Sequence, residues 1–99
     1  MIRLARINLA LPGKAFELMA ALKEAASIAK SVTGLEVTNF VSMGSKVGET
    51  VSVVNYGSLA DYEEKTAKLL ASAEWQTLAK KFEALVVPGY SHDHFLRQI

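Results

Sequence analysis

The sequence predicts an α+β domain of the ferredoxin-like, split β-α-β kind. Three observations predict it. Stretches of strand and helix periodicity follow the order β-α-β-β-α-α-β along the 99 residues. A loop with glycine at both ends, Gly44-Ser45-Lys46-Val47-Gly48, joins the second and third strands as a hairpin, which makes them antiparallel neighbours. The helical stretches that precede the second and the last strand are each long enough to carry the chain across a sheet. The standard solution is four antiparallel strands in the order 4-1-3-2, with the helices on one face.

Each element has its own signal. Residues 2–10 alternate as a strand, with Arg3, Ala5, Ile7 and Leu9 on one face and Leu4, Arg6, Asn8 and Ala10 on the other. The first set is expected to face the helices. Pro12 and Gly13 break the strand, and Pro12 suits the first helical position, where its missing N–H costs nothing. A helix follows over about 13–32, with a stripe from Ala15 through Leu18, Met19, Leu22, Ala25 and Ala26 to Ala29. Gly34 stops it. Residues 35–43 form the second strand, with Leu35, Val37, Asn39, Val41 and Met43 on one side and Glu36, Thr38, Phe40 and Ser42 on the other.

Residues 49–56 are rich in valine and threonine, as a strand should be. Ser58 with Asp61 three residues later opens the second helix, lined by Leu59, Tyr62, Thr66 and Leu69. Ser72 caps a third helix with the stripe Trp75, Leu78, Ala79, Phe82 and Leu85, and Pro88-Gly89 ends it. Residues 90–98 are the last strand.

Composition narrows the functional classes. Residues 1–99 make one domain, 51% hydrophobic and 21% charged, which is globular rather than disordered. Eleven basic side chains against ten acidic ones give +1, too little field for nucleic acid or an anionic membrane as the main partner. No cysteine is present, so disulfides, thiolate metal sites and cysteine nucleophiles are excluded. No apolar run approaches the ~20 residues of a membrane span, and the first residues do not read as a signal peptide. A cytoplasmic location is the expectation. Helices cover only one face of such a sheet, and Leu4, Phe40, Val54, Tyr56, Tyr90 and Leu96 are assigned to the other. A patch of that size marks an interface, so two sheets are expected to pack face to face as a homodimer, with the second and fourth strands meeting across it.

The strand–Pro12-Gly13-Lys14–helix opening, the segment Tyr56-Gly57-Ser58-Leu59-Ala60-Asp61-Tyr62-Glu63 and the later Ala73-Glu74-Trp75-Gln76 resemble the NIPSNAP-type members of the dimeric α+β barrel superfamily. The element order matches from end to end. The resemblance implies the fold, its pairing as a dimeric α+β barrel, and a ligand-sized cavity in each subunit. It implies no single activity. Related barrels include cofactor-free monooxygenases, haem-degrading enzymes, lactone isomerases and domains with no known catalysis.

Few polar residues stand out as candidates. His92 and His94 alternate on one face of the last strand, so their imidazoles converge. They read as acid–base catalysts, because histidine titrates near neutrality, or as a hydrogen-bonded pair at the dimer seam. Two histidines lack the third ligand of a metal site, and Glu36, Glu49 and Asp61 are unforced partners, so no metal is assigned. Asn39 and Asn55 fall in apolar sets expected to face the helices, where an amide would hold a ligand's carbonyl or hydroxyl group. Trp75 would fold over the mouth of such a cavity or pack in the core. Arg6 is expected to pair with Glu36 or Asp93, to line the lumen with Asn8, or to attract an anionic ligand.

No phosphate loop, nucleophile elbow or cofactor motif is visible, so no cofactor is expected. The reading is a small-molecule-binding dimeric barrel that takes a hydrophobic or aromatic ligand. In its enzymatic form it is a cofactor-independent monooxygenase, with His92 or His94 accepting the proton and Asn39 steadying an enolate. The alternative is a non-catalytic ligand-binding or structural homodimer.

Overall fold

Local chemistry sets the element boundaries. A computed structural model describes residues 1–44 and 46–99; Ser45, in the expected hairpin loop, lies outside the described residues. The elements are β1 (Ile2–Leu9), α1 (Ala15–Thr33), β2 (Val37–Val41), β3 (Glu49–Tyr56), α2 (Leu59–Leu70), α3 (Ala73–Glu83) and β4 (His92–Arg97). The strands form one antiparallel sheet in the order β2-β3-β1-β4, which is the expected 4-1-3-2 arrangement read from the other edge.

The two short helices begin where serine side chains meet orphan amides. Ser58 Oγ accepts from the Asp61 amide at 3.1 Å, and Ser72 Oγ accepts from the Trp75 amide at 3.3 Å. The Asp61 carboxylate reaches past the cap and accepts from the Gly57 amide at 3.0 Å. At the start of α1 the structure corrects the expectation. Pro12 and Gly13 form a turn closed by the Lys14 amide on the Leu11 carbonyl at 2.9 Å, so Pro12 sits ahead of the helix and Lys14 is its N-cap. The left-handed Gly34 (φ 77°) ends α1 and donates its amide to the Lys30 carbonyl at 2.9 Å. Helix α3 stops at Glu83, well before Pro88. The chain there is drawn onto the end of β1: the Leu11 amide donates to the Leu85 carbonyl at 2.9 Å and the Val87 amide to the Leu9 carbonyl at 2.8 Å.

The faces of the two central strands are the reverse of the expectation. Ile2, Leu4, Asn8 and Ala10 are buried beneath the helices, while Arg3, Ala5, Ile7 and Leu9 turn outward. Val54 and Tyr56 follow Leu4 to the helix side, because Leu4 pairs with Val54 and Ile2 with Tyr56. The outer face therefore carries Ala5, Ile7, Val51 and Val53 with Phe40 and Leu96, and not Leu4, Val54 or Tyr56. Strand β2 keeps its expected sense, with Val37 and Asn39 inward and Phe40 outward.

Helix α1 buries Leu18, Ala21, Leu22, Ala25, Ile28 and Ala29. This stripe is rotated from the one expected, with Ala21 and Ile28 replacing Met19 and Ala26. Leu18 is fully enclosed at 0% exposure. Among the described residues no helix is long and apolar enough to cross a membrane. Replacing Leu18 by Ala is expected to remove ~2–5 kcal/mol of stability, through lost transfer energy and the cavity left behind. Denaturant unfolding should show that loss, with a smaller one for Met19→Ala, whose side chain is only half-buried.

Candidate functional site

The inner face of the sheet and the three helices do not close on each other completely. Between them lies a cavity of about 460 Å³, within the ~300–1,000 Å³ range of small-molecule sites. Leu4, Val37 and Val54 form part of its floor, and Leu22, Leu69 and Leu78 come down from the helices. Trp75 lies between the two halves of the core and lines the cavity from α3.

One rung of the sheet interrupts this apolar floor. Asn39 of β2 pairs with Ser52 of β3, Ser52 with Arg6 of β1, and Arg6 with Asp93 of β4. Paired residues share a face, so four polar side chains form one line across all four strands. They satisfy one another. Arg6 donates from Nε to Asp93 Oδ1 at 2.8 Å and from Nη2 to Oδ2 at 2.9 Å, a bidentate pair. Ser52 Oγ donates to Asn39 Oδ1 at 2.6 Å, and Asn39 Nδ2 donates to the Leu22 carbonyl at 3.2 Å. One rung further along, Ser91 Oγ donates to Asn8 Oδ1 at 2.5 Å. Two tyrosines complete the polar end near Arg6: Tyr56 and Tyr62 meet edge to face at 5.2 Å, and Tyr62 meets Phe95 at 5.0 Å.

The structure separates the residues singled out from the sequence. Arg6, Asn39 and Trp75 all line the cavity. His92, His94 and Asn55 are on the opposite face. His92 pairs with Ile7 and His94 with Ala5, both outward, and the two imidazole rings lie 5.3 Å apart. His92 Nδ1 is 2.7 Å from the Tyr90 carbonyl oxygen, and the Tyr90 hydroxyl donates to Glu49. Asn55 accepts from Arg3 Nε at 2.9 Å on the outer surface. The outward turn of Asn55 has the same cause as the reversed strand faces. Tyr56 and Val54 occupy the inner side of β3, which sends residue 55 out. Among the described residues no three metal-ligating side chains converge.

The pattern of residues hides Ser52 and offers Asn8 and Asp93 only as companions of Arg6. Ser52 lies within a valine-rich strand, and its one sequence signal is that it breaks the run. Asp93 is flanked by the more conspicuous histidines, although it is one of the two partners expected for Arg6.

Arg6 and Asp93 balance one another's charge. The hydrogen bonds from Arg6, and then its charge, hold the Asp93 carboxyl below the ordinary 3.8 of an aspartate. Burial pushes the Tyr56 hydroxyl above its ordinary value, and it stays protonated at neutral pH. On the outer face, the Tyr90 and Ser42 hydroxyls hold Glu49 below the usual carboxylate range. The Asp93 carboxyl titrates lower folded than unfolded. Its contribution to stability is therefore complete above the unfolded value and lost as pH falls through the folded one. The pair is partly exposed, with side-chain accessibilities of 48% and 30%, so the contribution is small. Asp93→Asn should flatten the acid side of the stability profile below about pH 4. Thermal melts of both proteins between pH 2.5 and 7 would show whether the curves converge in acid.

The chain matches the NIPSNAP family model over residues 10–97. No curated protein matches it. A NIPSNAP family protein of Agrobacterium tumefaciens superposes with a TM-score of 0.85 at 24% identity, covering 99% of this chain and 92% of that one. A second protein from the same organism reaches 0.86 at 22% identity, covering 100% and 94%. An antibiotic biosynthesis monooxygenase shares the fold with a TM-score of 0.78 at 11% identity, covering 100% and 99%. At these identities the solved structures establish the fold alone. The family match spans nearly the whole chain, and together with the split β-α-β sheet it places this chain in the NIPSNAP family.

Proposed function

We propose that this chain binds a small, largely apolar molecule in the cavity between its sheet and helices. The observation that carries this reading is the cavity itself, about 460 Å³ of mostly apolar space with one internally satisfied polar rung across its floor. Such a floor does not need a ligand to relieve stranded polar groups. It can also orient a ligand through its spare donors and acceptors.

Binding is favoured over cofactor-independent oxygenation by where the proton acceptors sit. An oxygenase of that kind needs a base against its substrate. His92 and His94 are on the other face, Asp93 is held as a weakly basic carboxylate by Arg6, Tyr56 stays protonated, and Glu83, the carboxylate among the lining residues, is exposed at the end of α3. The neutral dye N-phenyl-1-naphthylamine, which fluoresces in apolar surroundings, tests the reading. It should bind the wild-type protein and quench or accept emission from Trp75, the one tryptophan of the chain. Ala25 lines the cavity from α1, so Ala25→Phe should fill the space and abolish binding. Binding that survives Ala25→Phe would place the dye elsewhere and sink the proposal.

The second part of the proposal is assembly as a homodimer through the outer face of the sheet. Ala5, Ile7, Val51 and Val53 lie there with no helix over them, flanked by Phe40 at 54% and Leu96 at 49% exposure. An apolar sheet face of this size favours burial against a like surface, and β2 and β4 are both open edges that a partner would cover. Light scattering should report twice the 10.7 kDa chain mass, and Val53→Asp should halve it. If Val53→Asp leaves the mass unchanged, this face is not the interface.

A further inference from the structure

We propose that the Arg6–Asp93 pair makes this cavity selective for neutral carbonyl compounds and rejects the corresponding carboxylates. The proposal rests on the ligand-binding reading above and names the chemistry of the ligand.

An arginine facing an apolar cavity is ordinarily an invitation to an anion. Here the guanidinium already has one. Of its five N–H donors, Asp93 takes Nε–H and one on Nη2 in a bidentate pair at 2.8 and 2.9 Å. Three N–H donors remain on a group whose charge is cancelled. That combination suits the oxygen of a ketone, aldehyde or quinone, which accepts hydrogen bonds and brings no charge. A carboxylate ligand would bring a second full negative charge to a guanidinium that already shares its own with Asp93. The two carboxylates would then repel across one cation, in a site whose lining is mostly apolar.

The rest of the rung points the same way. Ser52 neighbours Arg6 by register and spends its proton on Asn39, so it offers only lone pairs. Asn39 is held between Ser52 and the Leu22 carbonyl. No second cation is among the residues lining the cavity, and Glu83 adds a further negative charge to its wall. The electrostatic balance of the site thus disfavours anions, while Arg6 supplies hydrogen-bond donors. Asp93 is not among the lining residues; it acts through Arg6 as a charge-compensating, specificity-determining residue.

Two naphthalenes of matched shape test this by displacing N-phenyl-1-naphthylamine: neutral 2-acetylnaphthalene and anionic 2-naphthoate, at pH 7. The wild type should bind the ketone at least about tenfold more tightly than the acid. Asp93→Asn leaves the guanidinium uncompensated and should reverse the preference. Arg6→Gln should weaken the ketone by about tenfold and leave naphthoate no better bound. Equal affinity of the wild type for both compounds, or a preference for naphthoate, overturns the selectivity while leaving the cavity reading intact. Failure of the dye itself to bind overturns the cavity reading and the selectivity with it. Should Asp93→Asn fail to fold, as judged by circular dichroism, the wild-type ratio and Arg6→Gln decide the matter between them.

Discussion

Across the two central strands Ile2 faces Tyr56 and Leu9 faces Glu49, and every other feature of the sheet follows from that antiparallel register. Side chains alternate with a period of two, so a register shift of one residue would send every inward group out. With this register, Leu4 stands beside Val54 and Arg6 beside Ser52 on the helix side. The outer strands then extend the same rows. Val37 and Phe95 continue the apolar row of Leu4 and Val54, and Asn39 and Asp93 continue the polar row of Ser52 and Arg6. The cavity floor is built of these rows, and the helices above it span the gap without filling it.

Polar groups survive on that floor because they meet in pairs. Arg6 with Asp93, Ser52 with Asn39, and Ser91 with Asn8 each satisfy one another at hydrogen-bond distance. An unpaired group in such a place costs ~1–3 kcal/mol. Thr50, beside Asn8 in the register, keeps a buried hydroxyl with no partner among the described residues. The pairing also decides what the site can do. A rung that needs no ligand for its own stability is free to recognise one, and a balanced ion pair recognises differently from a lone cation.

The two faces of the sheet have different properties. The inner face is part core and part cavity, and the outer face has an apolar centre, the Arg3–Asn55 pair and Glu49 toward its ends and histidines toward one edge. The Tyr90 hydroxyl donates to Glu49 there and the Tyr90 ring meets His92 edge to face at 5.7 Å, with Lys46 over the Tyr90 ring at 4.7 Å. Fold alone does not distinguish a binding protein from an enzyme in this architecture. The placement of the histidines on the face away from the cavity bears on that distinction more directly, since a histidine acts on a bound molecule only from within the same space.

By itself the sequence determined the element order, the hairpin, the two serine caps, the glycine stop at Gly34 and so the topology of the sheet. These are local signals or counts of residues between elements, and they need no knowledge of what lies opposite. It also pointed to Arg6, Asn39 and Trp75, which line the cavity. Tertiary structure alone decided which face of β1 and β3 meets the helices. Both alternating sets of β1 are mixed: Arg3, Ala5, Ile7 and Leu9 hold more apolar residues than Leu4, Arg6, Asn8 and Ala10, and hydropathy chooses the wrong one. Arg6 and Asn8 read as lying on the dimer-facing side because they share a strand face with Leu4, and their partners, Asp93 and Ser91, are more than eighty positions away in sequence. Cross-strand pairing removes the cost of turning those side chains inward, and that compensation exists only once the strands are in register.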